Sequence, residues 1–347
     1  MARHRIAIVG LGMAVTPHAK SLADLGDRAE VAAAFSPSEA RRRDFAAKFP
    51  FPIATDLDAI LADRGIGAVL LLTPPGTHRD LVRRAAAAGK HILLEKPLEI
   101  STPRAHELVA AAGEAGVTLG VVLQHRFRPA GMKLAQILES GALGPIVNCS
   151  TTIRLWRPQS YYDQPGRGTK ARDGGGVLLT QGIHTLDLML SLAGHVEEVC
   201  GFAATTRVHR METEDLVCAA ARFTSGAIGT IEATTAAYPG FPERIELAGT
   251  RGTASLAGTE LKVQFHDGSS VEMAPDNAGK PGAGGTGADP MAFPHDYHRA
   301  VLADFLDAID EKRPPRASGE EALRVHRLID ALLEAGESGK RVTVERD

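Results

Sequence analysis

The sequence predicts two domains in succession: an α/β domain built on a doubly wound parallel sheet, then an α+β domain with a large, mostly antiparallel open sheet. Three observations carry this. Short apolar runs alternate with helical patterns up to Gln124, the signature of a parallel sheet covered on both faces. Beyond Gln124 helices become sparse and strand patterns follow one another. A length of 347 residues fits two domains. The expected division is therefore 1–124 and 125–347.

Ile6 to Val9 is a short apolar strand, followed by Gly10-Leu11-Gly12 and a helix from Pro17 to Leu25. Proline suits a helix start, where its missing N–H would lack a partner anyway. Val31 to Phe35 reads as the second strand and Glu39 to Lys48 as a helix. Ala68 to Leu72 is a strand ending at Thr73-Pro74-Pro75-Gly76, and Arg79 to Ala88 a helix stopped by Gly89. His91-Ile92-Leu93-Leu94-Glu95-Lys96-Pro97 reads as a central strand that Pro97 ends, since proline cannot donate to the ladder. Glu95 and Lys96 then sit at the strand's carboxyl end, the edge where open α/β sheets bind ligands. A helix from Pro103 to Ala115 and a strand from Thr118 to Leu123 complete the first domain.

The second domain opens with a helix from Pro129 to Glu139 and a long strand, Ile146 to Leu155. A polar, glycine-rich loop from Arg157 to Gly175 leads into a helix from Gly176 to Leu192. Strands are then expected at Val199–Thr206, Leu216–Phe223, Ala227–Thr235, Arg244–Ala248, Thr253–Leu256 and Leu261–Phe265. Asn277 to Asp289 is glycine-rich and reads as a mobile loop; helices from Tyr297 to Glu311 and Glu320 to Glu337 follow.

Composition narrows the function classes. The net charge is −3 and no basic block stands out, Arg41-Arg42-Arg43 being too short, so nucleic acid is not an expected partner. The amino terminus runs straight into a strand pattern without a signal-peptide core. No apolar run is read as approaching the roughly 20 residues of a membrane span. Cys149, Cys200 and Cys218 are far apart, lack metal-ligand spacing, and lie in strand-like runs, where each is expected as a small buried hydrophobe. No metal is expected, and a reducing cytoplasm is the expected compartment.

Three stretches carry the chemistry. Gly10-Leu11-Gly12-Met13-Ala14-Val15 nearly matches the dinucleotide fingerprint, with Val15 where a third glycine or alanine usually stands. Placed between the first strand and the first helix, it points to a bound dinucleotide, with Gly10, Leu11, Gly12, Met13 and Ala14 as contacts. The second strand ends at Ser36 rather than at an acid, with Arg41 and Arg42 beyond. A hydroxyl leaves room for a 2′-phosphate and an arginine can grip it, so NADP is favoured slightly over NAD. Gly175-Gly176 and Gly182-Ile183-His184-Thr185-Leu186-Asp187 form the third stretch. On a regular helix Thr180 and His184 share a face, and Asp187 is placed to orient His184. Histidine titrates near neutrality and suits acid–base work.

These residues resemble the glucose–fructose oxidoreductase, inositol dehydrogenase and rhizopine-catabolism (Gfo/Idh/MocA) family. The matching pieces span nearly the whole chain. They are Gly10-x-Gly12 with His18, Thr73-Pro74-Pro75-Gly76-Thr77-His78, Glu95-Lys96-Pro97, Gly175-Gly176 with Gly182-x-His184-x-x-Asp187, and Tyr238-Pro239-Gly240-Phe241-Pro242-Glu243. The resemblance implies a Rossmann domain followed by a substrate-binding and oligomerisation domain whose open sheet commonly makes a homodimer or homotetramer. It implies that Lys96 and His184 flank the substrate carbon beside the nicotinamide, with either as proton acceptor, and a cis Lys96-Pro97 bond. Many inositol dehydrogenase-like members carry Asp where Thr180 stands, which puts a strict inositol dehydrogenase in doubt.

Thr73, Pro74, His78, Glu95, Lys96 and Gln124 complete the expected cofactor contacts. Arg126, Arg157, Tyr161, Thr180, Gln181 and His184 are the candidate substrate contacts. The Trp156–Asp163 stretch resembles a loop of sugar-acting members, and equally reads as a surface loop with one packed Trp. The expected activity is NAD(P)-dependent hydride transfer at a secondary hydroxyl or ketone of a sugar, inositol or sugar derivative. The rivals are an NAD-dependent oxidation–elimination glycosidase of the same family and a non-catalytic nucleotide sensor.

Overall fold

A computed structural model describes residues 3–276 and 294–346 of the chain. The glycine-rich loop expected at Asn277–Asp289 lies outside the described residues.

The elements follow in chain order: β1 (His4–Val9), α1 (Val15–Asp24), β2 (Ala29–Phe35), α2 (Glu39–Ala46), β3 (Ile53–Ala54), α3 (Leu57–Ala62), β4 (Ala68–Leu71), α4 (His78–Ala87), β5 (His91–Leu94), α5 (Thr102–Glu114) and β6 (Leu119–Val121). Next come α6 (Pro129–Glu139), β7 (Ile146–Arg154), α7 (Gln159–Tyr162), α8 (Lys170–Asp173), a π turn at Leu178–Gly182 and α9 (Ile183–Ala193). The strands β8 (Val196–Ala204), β9 (Leu216–Phe223), β10 (Ile228–Thr234), β11 (Arg244–Gly249), β12 (Gly252–Ala257), β13 (Glu260–Phe265) and β14 (Ser270–Met273) follow. The chain closes with α10 (Asp296–Glu311), α11 (Gly319–Ser338) and β15 (Val342–Thr343).

Two compact units result. One comprises the described parts of 1–124 and 294–323, the other those of 125–293 and 324–347. The expected simple division at residue 124 therefore needs a correction, because α10 belongs to the first unit. There His295 Nε2 meets Asp24 at 2.8 Å and Arg28 donates to Asp307 at 2.7 Å.

The first unit holds a six-stranded parallel sheet of order β3-β2-β1-β4-β5-β6. Every residue of β4, and Ile92 to Leu94 of β5, is buried, as a strand covered on both faces requires. The strand order reverses beside β1, so the loops after β1 and β4 open on the crevice where such sheets take ligands.

The second unit holds a nine-stranded sheet of order β14-β13-β12-β11-β7-β10-β9-β8-β15. Its pairs are antiparallel except β7 with β10. β9 alternates buried and exposed residues cleanly from Val217 to Phe223. Val217, Ala219, Ala221 and Phe223 line the core, while Cys218, Ala220 and Arg222 face outward, so Cys218, like Cys200 on β8, is exposed where burial was expected, and only Cys149 of the three is buried.

Two further expectations change. The loop expected at Arg157–Gly175 contains α7 and α8, each a single helical turn. The helical stretch Lys170–Ala193 is long and apolar enough to cross a membrane, but 72% of its apolar window is buried inside the fold, as in a core helix.

Candidate active site

In the first unit the fingerprint turn is built as its sequence demands. Gly10 has φ of +106°, and a Cβ there would meet the Leu72 carbonyl oxygen at 2.6 Å, so both conformation and space require glycine. At Gly12 a Cβ would meet nothing within 4 Å. The chain itself does not demand glycine there; a pyrophosphate approaching the backbone would. Leu11 is buried and Met13 is 72% exposed. Val15 is packed at the start of α1 rather than serving as a third glycine.

Ser36, 1% exposed, directly follows β2. Its hydroxyl accepts from the Ser38 N–H at 3.3 Å, and Arg42 Nη1 donates to its carbonyl at 2.6 Å. The guanidinium of Arg42 is thereby held at the end of β2, while Arg41 lies exposed on α2. After β4, Thr77 Oγ1 bonds Thr73 Oγ1 at 2.9 Å and the Pro74 carbonyl at 2.8 Å, which fixes that loop. Gln124 is buried, and its Oε1 accepts no hydrogen bond among the described residues. The open approach at Gly12 and this acceptor fit a bound nicotinamide dinucleotide.

His78 departs from expectation. It is fully buried, with Nδ1 at 3.0 and 3.1 Å from the Pro97 and Leu98 carbonyls and Nε2 at 2.8 Å from the Thr73 carbonyl. A ring without exposed surface is no cofactor contact. Burial lowers its pKa from the ordinary histidine value, against the carbonyls that favour its charged form.

The Lys96-Pro97 bond is cis. Glu95 Oε2 accepts the Lys96 N–H at 3.0 Å, and Glu95 Oε1 pairs with His18 Nε2 at 2.9 Å. The His18 ring stands edge-on to His298 at 4.9 Å. Burial penalises the Glu95 charge, but the His18 hydrogen bond, the His18 charge and the Lys96 ammonium outweigh it and hold the carboxyl below its usual range. Burial and the neighbouring His18 push His298 down to about 3. Donor atoms of His18, Glu95 and His298 lie within 4.8 Å of one another, close enough for a metal ion. The Lys96 charge acting on the same carboxylate favours a hydrogen-bonded cluster instead.

In the second unit Asp187 is fully buried and bidentate with Arg126, at 2.7 Å to Nε and 2.6 Å to Nη2. Its carboxylate thus clamps Arg126, a partner that helical spacing does not announce. Arg126 in turn commits its Nε and one Nη2 donor to that pair. His184 is 9% exposed and stacks on His125 at 4.9 Å; His125 Nε2 lies 2.5 Å from Arg128 Nη2. His125 was missed because the stack is tertiary, although its place right after the first domain's last strand was a usable signal.

The helix expected from Gly176 begins with a π turn, so face assignments at 3.6 residues per turn do not carry from Thr180 to His184. Thr180 Oγ1 lies 2.6 Å from the Gly176 carbonyl and also against Gln181 Oε1, its single proton serving one of the two. Gln181 Nε2 reaches the Tyr161 hydroxyl at 3.5 Å, so Thr180, Gln181 and Tyr161 do come together. Gly176 stands where no side chain fits. It approaches Glu214: a Cβ would meet the Glu214 carbonyl at 1.8 Å, and Glu214 carboxylate oxygens accept from the N–H groups of Gly176 and Leu178 at 3.0 and 3.1 Å.

Arg157 is 3% exposed and donates to the Trp156 carbonyl at 2.7 Å. Burial lowers its pKa, and it braces its own loop rather than facing solvent as a substrate contact. His209, paired with Asp215 at 2.7 Å, bonds the Arg157 carbonyl at 2.8 Å and fixes the same loop. Trp156 packs edge-on to Tyr238 at 5.5 Å.

A parallel sheet with a glycine turn at its switch point and a lysine at the end of β5 defines a dinucleotide-binding oxidoreductase. The profile of the oxidoreductase family with an NAD-binding Rossmann fold matches residues 4–123, and that of the GFO/IDH/MocA C-terminal domain matches residues 132–255. The chain belongs to the Gfo/Idh/MocA oxidoreductase family. It is 28% identical over 281 residues to the scyllo-inositol 2-dehydrogenase (NAD(+)) of Bacillus subtilis (strain 168), covering 78% of this chain and 80% of that protein. It is 27% identical over 317 residues to the D-xylose 1-dehydrogenase (NADP(+)) 2 of Haloferax volcanii, covering 91% and 92%. Among solved structures, the WlbA dehydrogenase from Bordetella pertussis in complex with NADH and UDP-GlcNAcA superposes with a TM-score of 0.84 at 28% identity, covering 99% of both chains.

Proposed function

We propose that this enzyme is an NAD(P)-dependent dehydrogenase acting on a secondary hydroxyl, or in reverse a ketone, of a sugar, polyol or sugar derivative. The observation that carries this is the pairing of the Gly10–Gly12 turn with Lys96 at the carboxyl end of one parallel sheet. Relatives named for an inositol, a pentose and a sugar nucleotide complex support the substrate class. When bound, the nicotinamide supplies the hydride acceptor. Lys96 hydrogen-bonds the reacting oxygen and stabilises its developing charge. His184 takes the proton, and Thr180, Gln181 and Tyr161 orient neighbouring hydroxyls.

NADP is the favoured cofactor. Ser36 carries no charge to repel a 2′-phosphate, and Arg42 is held at the same strand end. The relatives divide on this point, one named for NAD and one for NADP. The test is a screen of inositols, aldoses and sugar nucleotides with NAD and NADP separately, following absorbance of the reduced cofactor. Oxidation of at least one member with either cofactor supports the reading; tight dinucleotide binding with no turnover across the panel would replace it by a sensor.

The chain forms a homodimer or homotetramer through the outer face of the nine-stranded sheet. There Phe202 and Ile228 are 78% and 57% exposed, and Cys200 and Cys218 are exposed beside Phe202. Such apolar surface is expected to be covered by a second copy. Sedimentation at micromolar protein checks this, and a monomer refutes it.

A further inference from the structure

We propose that His78 is a positioning residue for Lys96, acting through the backbone of the turn that follows it. This deepens the proposed function, because it rests on Lys96 touching the reacting oxygen. The imidazole starts α4 and lies between two loops at the carboxyl edge of one sheet. On one side Nδ1 faces the Pro97 and Leu98 carbonyls at 3.0 and 3.1 Å; on the other Nε2 faces the Thr73 carbonyl at 2.8 Å. All three partners are acceptors, so each bond needs a proton on the facing nitrogen, and the contacts taken together are those of the doubly protonated ring, a form that burial opposes and the three carbonyls favour. A proton on Nδ1 ties the ring to the turn after Lys96. A proton on Nε2 ties it to the end of β4, where the Thr73–Pro74 loop is a cofactor contact. With the ring fully buried, water cannot replace either bond. The two halves of the site in this unit are thus joined by one side chain.

Two substitutions separate the bonds. The amide nitrogen of asparagine falls near the place of Nδ1, and that of glutamine near the place of Nε2. His78→Asn therefore keeps the bond to the turn after Lys96 and loses the one to Thr73; His78→Gln does the reverse. Turnover is measured with NADP and whichever of myo-inositol, D-xylose and D-glucose the wild-type enzyme oxidises fastest. NADP affinity is measured by fluorescence titration. His78→Gln is expected to lower kcat about 10²-fold, the effect of misplacing a catalytic group by about 1 Å, with NADP affinity unchanged. His78→Asn is expected to keep kcat within about threefold and weaken NADP about fivefold, the loss of one hydrogen bond.

A second readout needs no substrate. With lysines dimethylated by ¹³C-formaldehyde, the Lys96 resonance is assigned by its loss in Lys96→Met. In the NADP-bound protein this resonance should move in His78→Gln and stay in His78→Asn. A role in fold alone would move kcat and affinity together, in proportion to lost thermal stability, in both variants. That result, or an unmoved Lys96 resonance in His78→Gln, overturns the proposal while leaving the catalytic lysine standing. Near-normal turnover in Lys96→Met overturns both.

Discussion

Asp187→Asn is the sharpest test of how the second unit is held together. The substitution keeps shape and removes one charge. Asp187 is fully buried and the Arg126 side chain is 10% exposed, so the remaining guanidinium has little water to turn to. Both carboxylate oxygens are used, at 2.7 and 2.6 Å. Breaking such a pair from one side costs about 3–5 kcal/mol, because the partner charge stays buried. For a unit of this size each kcal/mol shifts the melting temperature by about 2–4 °C, so the midpoint should fall by roughly 6–20 °C. Differential scanning calorimetry reads this directly. The double variant Arg126→Met/Asp187→Leu should recover most of the loss, since a hydrophobic pair carries no desolvation cost. A midpoint unchanged within 2 °C in Asp187→Asn, or a double variant worse than the single, would refute the buried-pair reasoning.

Two other predictions follow from the first unit. Ser36→Asp should turn preference from NADP toward NAD, since a carboxylate repels the 2′-phosphate and holds the free diol; wild-type enzyme binding NAD far more tightly than NADP would contradict this. Stability should fall on acidification. His298 is neutral when folded, with its pKa pushed to about 3, whereas the unfolded histidine takes up a proton near 6.5. The unfolded state then binds more protons between these values, so stability drops by about 2 kcal/mol from pH 6.5 to 5. Glu95, depressed when folded, adds a further loss below its ordinary value of 4.5. Urea titrations of wild type and His298→Asn check this, the variant being expected to show a flatter dependence above pH 5.

Much of the scaffold was legible because its signals are local. Ile6–Val9, Ala68–Leu72 and Ile92–Leu94 are continuous apolar runs, and burial on both faces is what such runs mean. Gly10 announces its own turn. The two-residue strands β3 and β15 are too short to carry a period. The π turn at Leu178–Gly182 breaks the period it was read with. The Asp187–Arg126 pair was hidden for another reason. Spacing placed Asp187 one turn from His184, but its partner Arg126 stands 61 residues away, and no helical periodicity reaches that far. His78 shows the same limit: its motif pointed to a cofactor, yet its contacts are carbonyls five and about twenty residues away.

The measurement that bears most directly on the proposed chemistry is steady-state turnover of His184→Asn. Asparagine keeps size and some hydrogen bonding and removes titration. If His184 handles the proton, kcat should fall by about 10²–10⁴-fold, with NADP affinity and thermal stability close to wild type. Turnover near wild type, with fold and NADP binding intact, would make His184 a structural residue and leave Lys96 as the sole proton carrier.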